Sequence, residues 1–419
     1  MTTQLPEGSP KILMLCQLFY PELVSTGQTL TELAESLTGL GVEVQVCCGP
    51  PTIINEKTKT PKDYDHNGIR IHRVWGTTFP KLSTIGKMVN QITYAVSTFF
   101  YLLFNKIDRP VLVVTNPPFL GAICVVIKRI KRLRFIYLVF DVYPDTAINL
   151  GMLSKNGWIT KAWESLNRSI LKSCDAFVVI GRCMAVVIRN KMPDKEKELI
   201  RKKEHVIHVW ADNRNIQPLK GKKSNPFVKE WNLEGKFVLG YSGNMGRFHD
   251  IETIAEAARK MKKDDRFRFL FIGEGFKKKW LIQYIKENGL TNCIVDTYVP
   301  REDLPLVLNS FDLGLVSLSK DQEGLSVPSK TFGLLSAGVP VVAIMNKNSE
   351  IALVVEEESC GMVVPPGDPA ALVETIFTLE KDRERLAEMR RNARNAVDSK
   401  YSLEKAARTY SELISQFMP

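Results

Sequence analysis

No Gly-x-x-x-x-Gly-Lys-Ser/Thr stretch occurs in this 419-residue chain, which excludes a P-loop nucleotide hydrolase. A complete Gly-x-Gly-x-x-Gly fingerprint is missing too: "GEGFKK" lacks the third glycine and "GNMGRF" has the wrong spacing. A nicotinamide-dependent dehydrogenase is therefore disfavoured. Histidine and cysteine are few, five and eight, and are scattered without ligand spacing, so no metal site and no cofactor is expected. The cysteines, Cys47 beside Cys48 and most others inside apolar runs, read as reduced core thiols of a cytosolic protein. Long apolar runs are lacking as well. The nearest candidate, "IGKMVNQITYAVSTFFYLLF", is interrupted by Lys87, Asn90 and Gln91, too polar for a confident membrane span. The N-terminus has no signal-peptide pattern, and neither internal repeats nor low-complexity segments are found. The expected location is the cytoplasm, with the option of resting at the inner face of a membrane.

What is present is the composition of a globular α/β protein, 44% apolar and 25% charged, with a formal net charge of +11. That excess of Lys and Arg calls for an anionic partner: nucleotide phosphates, nucleic acid or an anionic membrane surface. Recognised nucleic-acid modules and interleaved basic–aromatic runs are missing, so nucleic acid is disfavoured.

Short apolar strands alternate with helical patterns nearly throughout, the signature of parallel sheets flanked by helices. Seven strands are expected in the first half: "KILMLCQLF", "VEVQVCC", "IRIHRVW", "PVLVVTN", "RFIYLVFDVYP", "AFVVIG" and "HVIHVW". In the first helix Leu30, Leu33, Leu37 and Leu40 share one face, and Gly41 ends it. The segment "ADNRNIQPLKGKKSNPFVKEW", rich in Pro, Gly, Asn and Lys, reads as a linker. Six more strands follow, "KFVLGYSGNMG", "RFRFLFIGEG", "CIVDTYVP", "LGLVSL", "VPVVAI" and "GMVVPPGD", and then helices only. The expected architecture is two Rossmann-like doubly wound domains, residues 1–212 and 213–395, facing a cleft, with residues 396–419 as a terminal helical segment.

Several turns suit a phosphorylated ligand. In "YSGNMGRFHDIETIAEA" Gly243 and Gly246 let backbone approach a ligand, and Arg247 stands where a phosphate would meet the next helix. In "QEGLSVPSKTFGLLSAGVPVVA" Ser329 and Lys330 open another helix; Arg247 and Lys330 together could neutralise a diphosphate without a metal. In the first half Gly27, behind Ser25 and Thr26, opens a helix, either as a plain N-cap region or as part of a site. Asp141, in "VFDVYPDTAINLGML", ends a strand where a carboxylate could hold a hydroxyl or accept a proton.

The order of these motifs resembles the retaining GT-B glycosyltransferases of glycosyltransferase family 4. The resemblance runs through "FYPELVSTGQTLTELAESL", "FDVYPDTAINLG", "YSGNMGRFHDIETIAEAA", "FIGEG", "YVPREDLP" and "VPSKTFGLLSAGVPVVA". The Asp-x-x-Pro-Asp and Pro-Ser-Lys variants are similar to the branch that builds bacterial surface polysaccharides, of colanic-acid type. The resemblance implies a nucleotide-diphosphate-sugar donor and a glycan or lipid-linked acceptor, transfer with retention and no metal. It implies that Gly243, Asn244, Arg247 and Lys330 hold the diphosphate and that Val299 lies in the segment framing the base; Gly27 and Ser329, at their helix starts, are added to the donor-binding set. It also implies that the terminal helix returns to the first domain. Arg247 and Lys330 would stabilise the leaving group, and Asp141 would orient the acceptor hydroxyl. Gly333 stands where the family usually carries a ribose-binding glutamate, which leaves Glu323 as the carboxylate expected to replace it; backbone groups near Gly333 are the alternative. A nucleotide-sugar 2-epimerase shares the fold, but no convincing set of paired carboxylates and a cleft histidine is present for it.

An apolar helical face, Ile85, Met88, Val89, Ile92, Val96, Phe99, Phe100 and Leu103, lies close in sequence to the basic "IKRIKRLR". Together they suit contact with an anionic membrane; the plainer reading is a core-packing helix and a solvated helix end.

Overall fold

The computed structural model describes residues 8–22, 26–52, 60–80, 84–219, 221–222 and 224–418. The chain divides into two compact units, Met1–His208 with Leu403–Pro419, and Val209–Ser402.

The first unit is built on an eight-stranded sheet. Its strands are β1 (Lys11–Cys16), β2 (Glu43–Cys48), β3 (Asp63–His66), β4 (Ile69–Arg73), β5 (Val111–Val114), β6 (Phe135–Val139), β7 (Ala176–Val179) and β8 (Glu204–Val206), in the order β3-β4-β2-β1-β5-β6-β7-β8. All neighbours pair in parallel except β3 with β4. Central strands such as β5, β6 and β7 are buried at every position, as parallel strands covered on both faces must be. Strand β3 is the element that apolar patterning misses, because "DYDH" is polar and partly exposed. Its signal was the Asn67–Gly68 pair: both have positive φ, +52° and +81°, the geometry of a tight hairpin turn.

In the first helix, Thr26–Gly39, Leu30, Leu33 and Leu37 are fully buried; Leu40 falls past its end and is exposed. Helix Leu403–Ser415 buries Ala406, Ala407, Tyr410, Leu413 and Ile414 and packs on Thr26–Gly39. Arg134 ties down the chain end by donating to the carbonyls of Phe417 and Met418, at 3.1 and 2.9 Å.

The second unit carries a six-stranded parallel sheet: β9 (Phe237–Ser242), β10 (Phe267–Ile272), β11 (Cys293–Asp296), β12 (Leu313–Ser317), β13 (Val341–Ile344) and β14 (Gly361–Val364), ordered β11-β10-β9-β12-β13-β14. Connections diverge between β9 and β12, so the loops leaving the carboxyl ends of these two neighbours border the crevice where open α/β sheets bind ligands.

The expected linker is a strap packed on this second unit. Ile216 is buried, Arg394 donates to the carbonyls of Asn213 and Ile216, and Asn225 caps helix Pro226–Glu230. This packing moves the boundary from 212 to His208, and the strap's Lys220 and Lys223 lie outside the described residues. The return begins at Leu403, not 396. The turn Val397–Tyr401 still belongs to the second unit: Tyr401 accepts from Ala211 N–H at 2.8 Å and packs on Phe332.

Candidate functional site

The turn after β9 is built by close backbone contact. Gly243 has φ +136°, and a Cβ there would stand 3.2 Å from Lys330 Cδ. The turn after β10 lies against it. A Cβ on Gly273 would be 2.1 Å from the Gly243 carbonyl oxygen, and one on Gly275 2.6 Å from that of Met245. Only glycine lets the two backbones pack this closely. Met245 N–H donates to Glu274 and accepts, through its carbonyl, from Lys277 N–H, at 2.7 and 2.9 Å. The glycines of "GEGFKK" therefore serve the neighbouring turn.

Arg247 is exposed, its guanidinium stacked 3.5 Å from the centre of the Phe276 ring. Sequence reasoning did not find Phe276, although an aromatic directly after Gly-Glu-Gly was a usable signal. Asn244 is exposed, and its carbonyl accepts from the Tyr241 hydroxyl at 2.8 Å.

Lys330 reaches the same turn from the segment after β12. Its ammonium donates to the Tyr241 hydroxyl and lies 3.7 Å from that ring's centre. Burial drives its pKa well below the usual lysine value. Among the described residues neither Arg247 nor Lys330 has an ion-pair partner. A desolvated ammonium such as that of Lys330 is costly to leave charged unless an anion completes it. The two loops are joined directly, since Ser319 N–H donates to the Phe248 carbonyl at 2.7 Å.

Helix Lys330–Ser336 is seven residues long, and Ser329 at its start makes no capping bond. Thr331 N–H and hydroxyl both donate to the Pro328 carbonyl. So short a helix with a closed first turn contributes little dipole, and the anion-attracting charge resides in side chains. Ser329 is exposed. Glu323, half-buried after the turn Lys320–Gln322, has no hydrogen-bond partner among the described residues. Gly333 faces apolar side chains: its Cβ would stand 3.5 Å from Leu308 Cδ1 and 4.0 Å from Ile216 Cδ1. Val299 is half-buried in the irregular segment following β11.

His249, two residues after Arg247, is a neutral imidazole, its pKa pushed down to about 2 by burial and by Lys330 and Lys277. The positive charge is left to Arg247 and Lys330.

The remaining two site residues belong to the first unit. A Cβ on Gly27 would stand 2.5 Å from the Glu22 carbonyl, so glycine is needed for packing of the preceding loop; Ser25 lies outside the described residues. Asp141, just past β6, has no hydrogen-bond partner among the described residues, and burial raises its pKa to about 6. It lines a pocket with Thr115, Tyr143, Trp163, Asn167 and Arg168. The pocket wall is firm, with Tyr143 stacked on Trp163 at 5.6 Å and its carbonyl held by Asn167.

Helix Thr84–Phe104 turns Ile85, Met88, Ile92, Val96, Phe100 and Phe104 outward, Ile85 being 72% and Phe104 76% exposed. Val89, Phe99 and Leu103 are only half-exposed. Exposed Val126 and Ile130 of helix Leu120–Lys131 extend the face. The basic cluster is partly consumed: Lys128 pairs with Asp175, Lys131 holds the carbonyls of Leu102 and Asn105, and Arg134 holds the chain end. Arg129 and Arg132, with Lys87, remain exposed and unpaired among the described residues. There, no helix is long and apolar enough to cross a membrane.

Comparison with known proteins gives both halves a counterpart. Residues 223–396 match the model of glycosyl transferases group 1, and residues 26–200 that of a glycosyl transferase 4-like domain. The probable glycosyltransferase WbjE of Pseudomonas aeruginosa is 31% identical over 310 residues, 72% of this chain and 74% of that one. The putative colanic acid biosynthesis glycosyl transferase WcaI of Escherichia coli (strain K12) is 25% identical over 381 residues, 87% of this chain and 91% of that one. Among solved structures, Anabaena HepE in complex with UDP superposes with a TM-score of 0.71 at 14% identity, over 97% of this chain and 100% of that one. That likeness shows the fold.

Proposed function

The chain belongs to the group 1 glycosyl transferases, and from that premise we propose a retaining, metal-independent transfer of a sugar from a nucleotide-diphosphate donor to a glycan or lipid-linked acceptor in surface-polysaccharide synthesis. The observation that carries the donor reading is the couple Arg247 and Lys330, without ion-pair partners among the described residues, at adjoining turns beside the β9–β12 switch point. HepE, of the same fold, was crystallised with UDP, and WcaI is named for colanic acid biosynthesis.

In this mechanism the bond from the anomeric carbon to the phosphate oxygen breaks first. Arg247 and Lys330 take up the charge that develops on the diphosphate. The acceptor hydroxyl attacks on the same face, its oxygen bonding the anomeric carbon and its proton passing to the departing phosphate oxygen. Asp141 accepts a hydrogen bond from the acceptor hydroxyl and orients it. Glu323, without a hydrogen-bond partner among the described residues, is assigned to the donor's hydroxyls.

The exposed apolar face of Thr84–Phe104, bordered by Lys87, Arg129 and Arg132, is assigned to an anionic bilayer surface at the inner side of the membrane. Sedimentation with vesicles of anionic and of zwitterionic lipid tests it: retention on the anionic ones, lost in Ile85→Asp/Phe104→Asp, is expected. Equal behaviour of protein and variant would discard the assignment.

The transferase reading is tested by incubating the protein with a panel of nucleotide sugars and a lipid-linked glycan, with and without EDTA, and following the anomeric proton of the product by NMR. Retention, undiminished by EDTA, is expected. Inversion, or loss with EDTA restored by magnesium or manganese, would overturn the mechanism.

A further inference from the structure

We infer that His249 supplies a third, uncharged hydrogen-bond donor to the same diphosphate, its Nε2–H left for a phosphate oxygen because the Gly246 N–H occupies Nδ1. The inference rests on the donor reading of this turn.

The turn fixes which ring nitrogen carries the proton. Gly246 N–H points at His249 Nδ1 at 3.1 Å. A nitrogen that accepts a hydrogen bond has no proton, so in a neutral imidazole the proton sits on Nε2. The main chain of His249 is fixed on both sides. His249 N–H donates to the Gly246 carbonyl at 3.2 Å, and its own carbonyl accepts from Lys277 Nζ at 2.7 Å. Burial keeps the ring neutral, helped by the ammonium groups of Lys330 and Lys277, which disfavour a third positive charge. Lys277 is itself paired with Glu252 at 2.7 Å, and the Tyr241 ring meets the imidazole edge-on at 6.3 Å.

Among the described residues nothing accepts from Nε2. His249 is half-buried and its Nε2 is open enough for solvent or a ligand to accept from it. Next to Lys330, the ligand that satisfies both groups is an anion. A neutral donor has an advantage there: it adds a hydrogen bond without adding to the repulsion among the cations that must coexist before the nucleotide arrives. The Gly246 bond thus does two things. It closes the turn that carries Arg247, and it selects the tautomer.

The test is titration calorimetry with UDP, inorganic pyrophosphate and uridine on the full chain, comparing wild type with His249→Asn and His249→Ala. Asn places an oxygen near Nδ1, able to accept from Gly246, but has nothing at Nε2. The expected result is a loss of about tenfold or more in UDP and pyrophosphate affinity for both variants, with uridine unchanged. UDP binding to His249→Asn as tight as to wild type would overturn the inference, leaving the histidine as a turn acceptor only. Should the variants not fold, 15N-labelled wild-type imidazole decides. Nδ1 unprotonated from about pH 5.5 to 8, with an Nε2–H resonance that moves downfield on UDP addition, is expected. An unmoved Nε2–H would overturn it. Wild type that binds neither UDP nor pyrophosphate would sink the donor reading itself, a result separate from any difference between variants.

Discussion

Lys330 points its ammonium at the Tyr241 hydroxyl, 3.7 Å from the ring centre, with no carboxylate beside it among the described residues. An amine so desolvated has a pKa well below the ordinary lysine value. Bound diphosphate supplies the missing negative charge and raises that pKa again. Between the two values the protein must take up a proton when the nucleotide binds. Calorimetry in two alkaline buffers of different ionisation heat should report net uptake in wild type and none in Lys330→Met. Identical heats after correction in both proteins would show that Lys330 does not meet the ligand.

Gly333 and Glu323 separate two ways of replacing the missing glutamate. A methyl on Gly333 meets only Leu308 and Ile216 at ordinary contact distance. Gly333→Ala should therefore leave donor affinity unchanged and raise stability by up to about 1 kcal/mol, since Ala is the better helix former. Glu323→Gln, altering a carboxylate with no partner among the described residues, should leave the melting temperature unchanged and lower donor affinity or turnover. If Gly333→Ala were the damaging change and Glu323→Gln silent, the assignment would be reversed.

Asp141 offers a pH signature. Its folded pKa, raised by burial to about 6, exceeds the unfolded value of about 3.9. The folded state then holds more protons than the unfolded state between these values. Its contribution favours folding below about pH 4 and is lost as pH rises through about 6. Asp141→Asn should be more stable than wild type at neutral pH, by about 1–3 kcal/mol, because no charge must ionise in the buried pocket. Activity that needs the carboxylate should rise in wild type with an apparent pKa of about 6, and that limb should vanish in the variant along with most turnover. An unchanged acid limb in Asp141→Asn would remove the residue from the mechanism.

Much of this was legible in the sequence because parallel strands buried on both faces leave uninterrupted apolar runs, such as "VLVV" and "FIYLV". What escaped was polar or held from a distance. Strand β3 has no apolar pattern, and its pairing is set by the Asn67–Gly68 turn. The strap at 211–231 reads as a linker because its anchors lie far off in sequence, Arg394 and Asn309 among them. At the site, Gly243, Arg247 and Lys330 were legible as turn and charge chemistry. The stacking of Phe276 beneath Arg247, whose sequence signal lies in the Gly-Glu-Gly-Phe turn, and the neutral state of His249 both depend on neighbours from other segments.

The central claim is that Arg247 and Lys330 together receive a nucleotide's diphosphate. The most direct measurement is the affinity of Arg247→Ala, Lys330→Ala and the double variant for whichever of UDP, GDP, ADP or TDP wild type binds, alongside the matching nucleoside. Each single change should cost about 1.5–3 kcal/mol of diphosphate binding, the range for hydrogen bonds to charged groups, and leave nucleoside binding untouched. Diphosphate affinity unchanged in Lys330→Ala, or lost equally for nucleoside and diphosphate, would contradict the account.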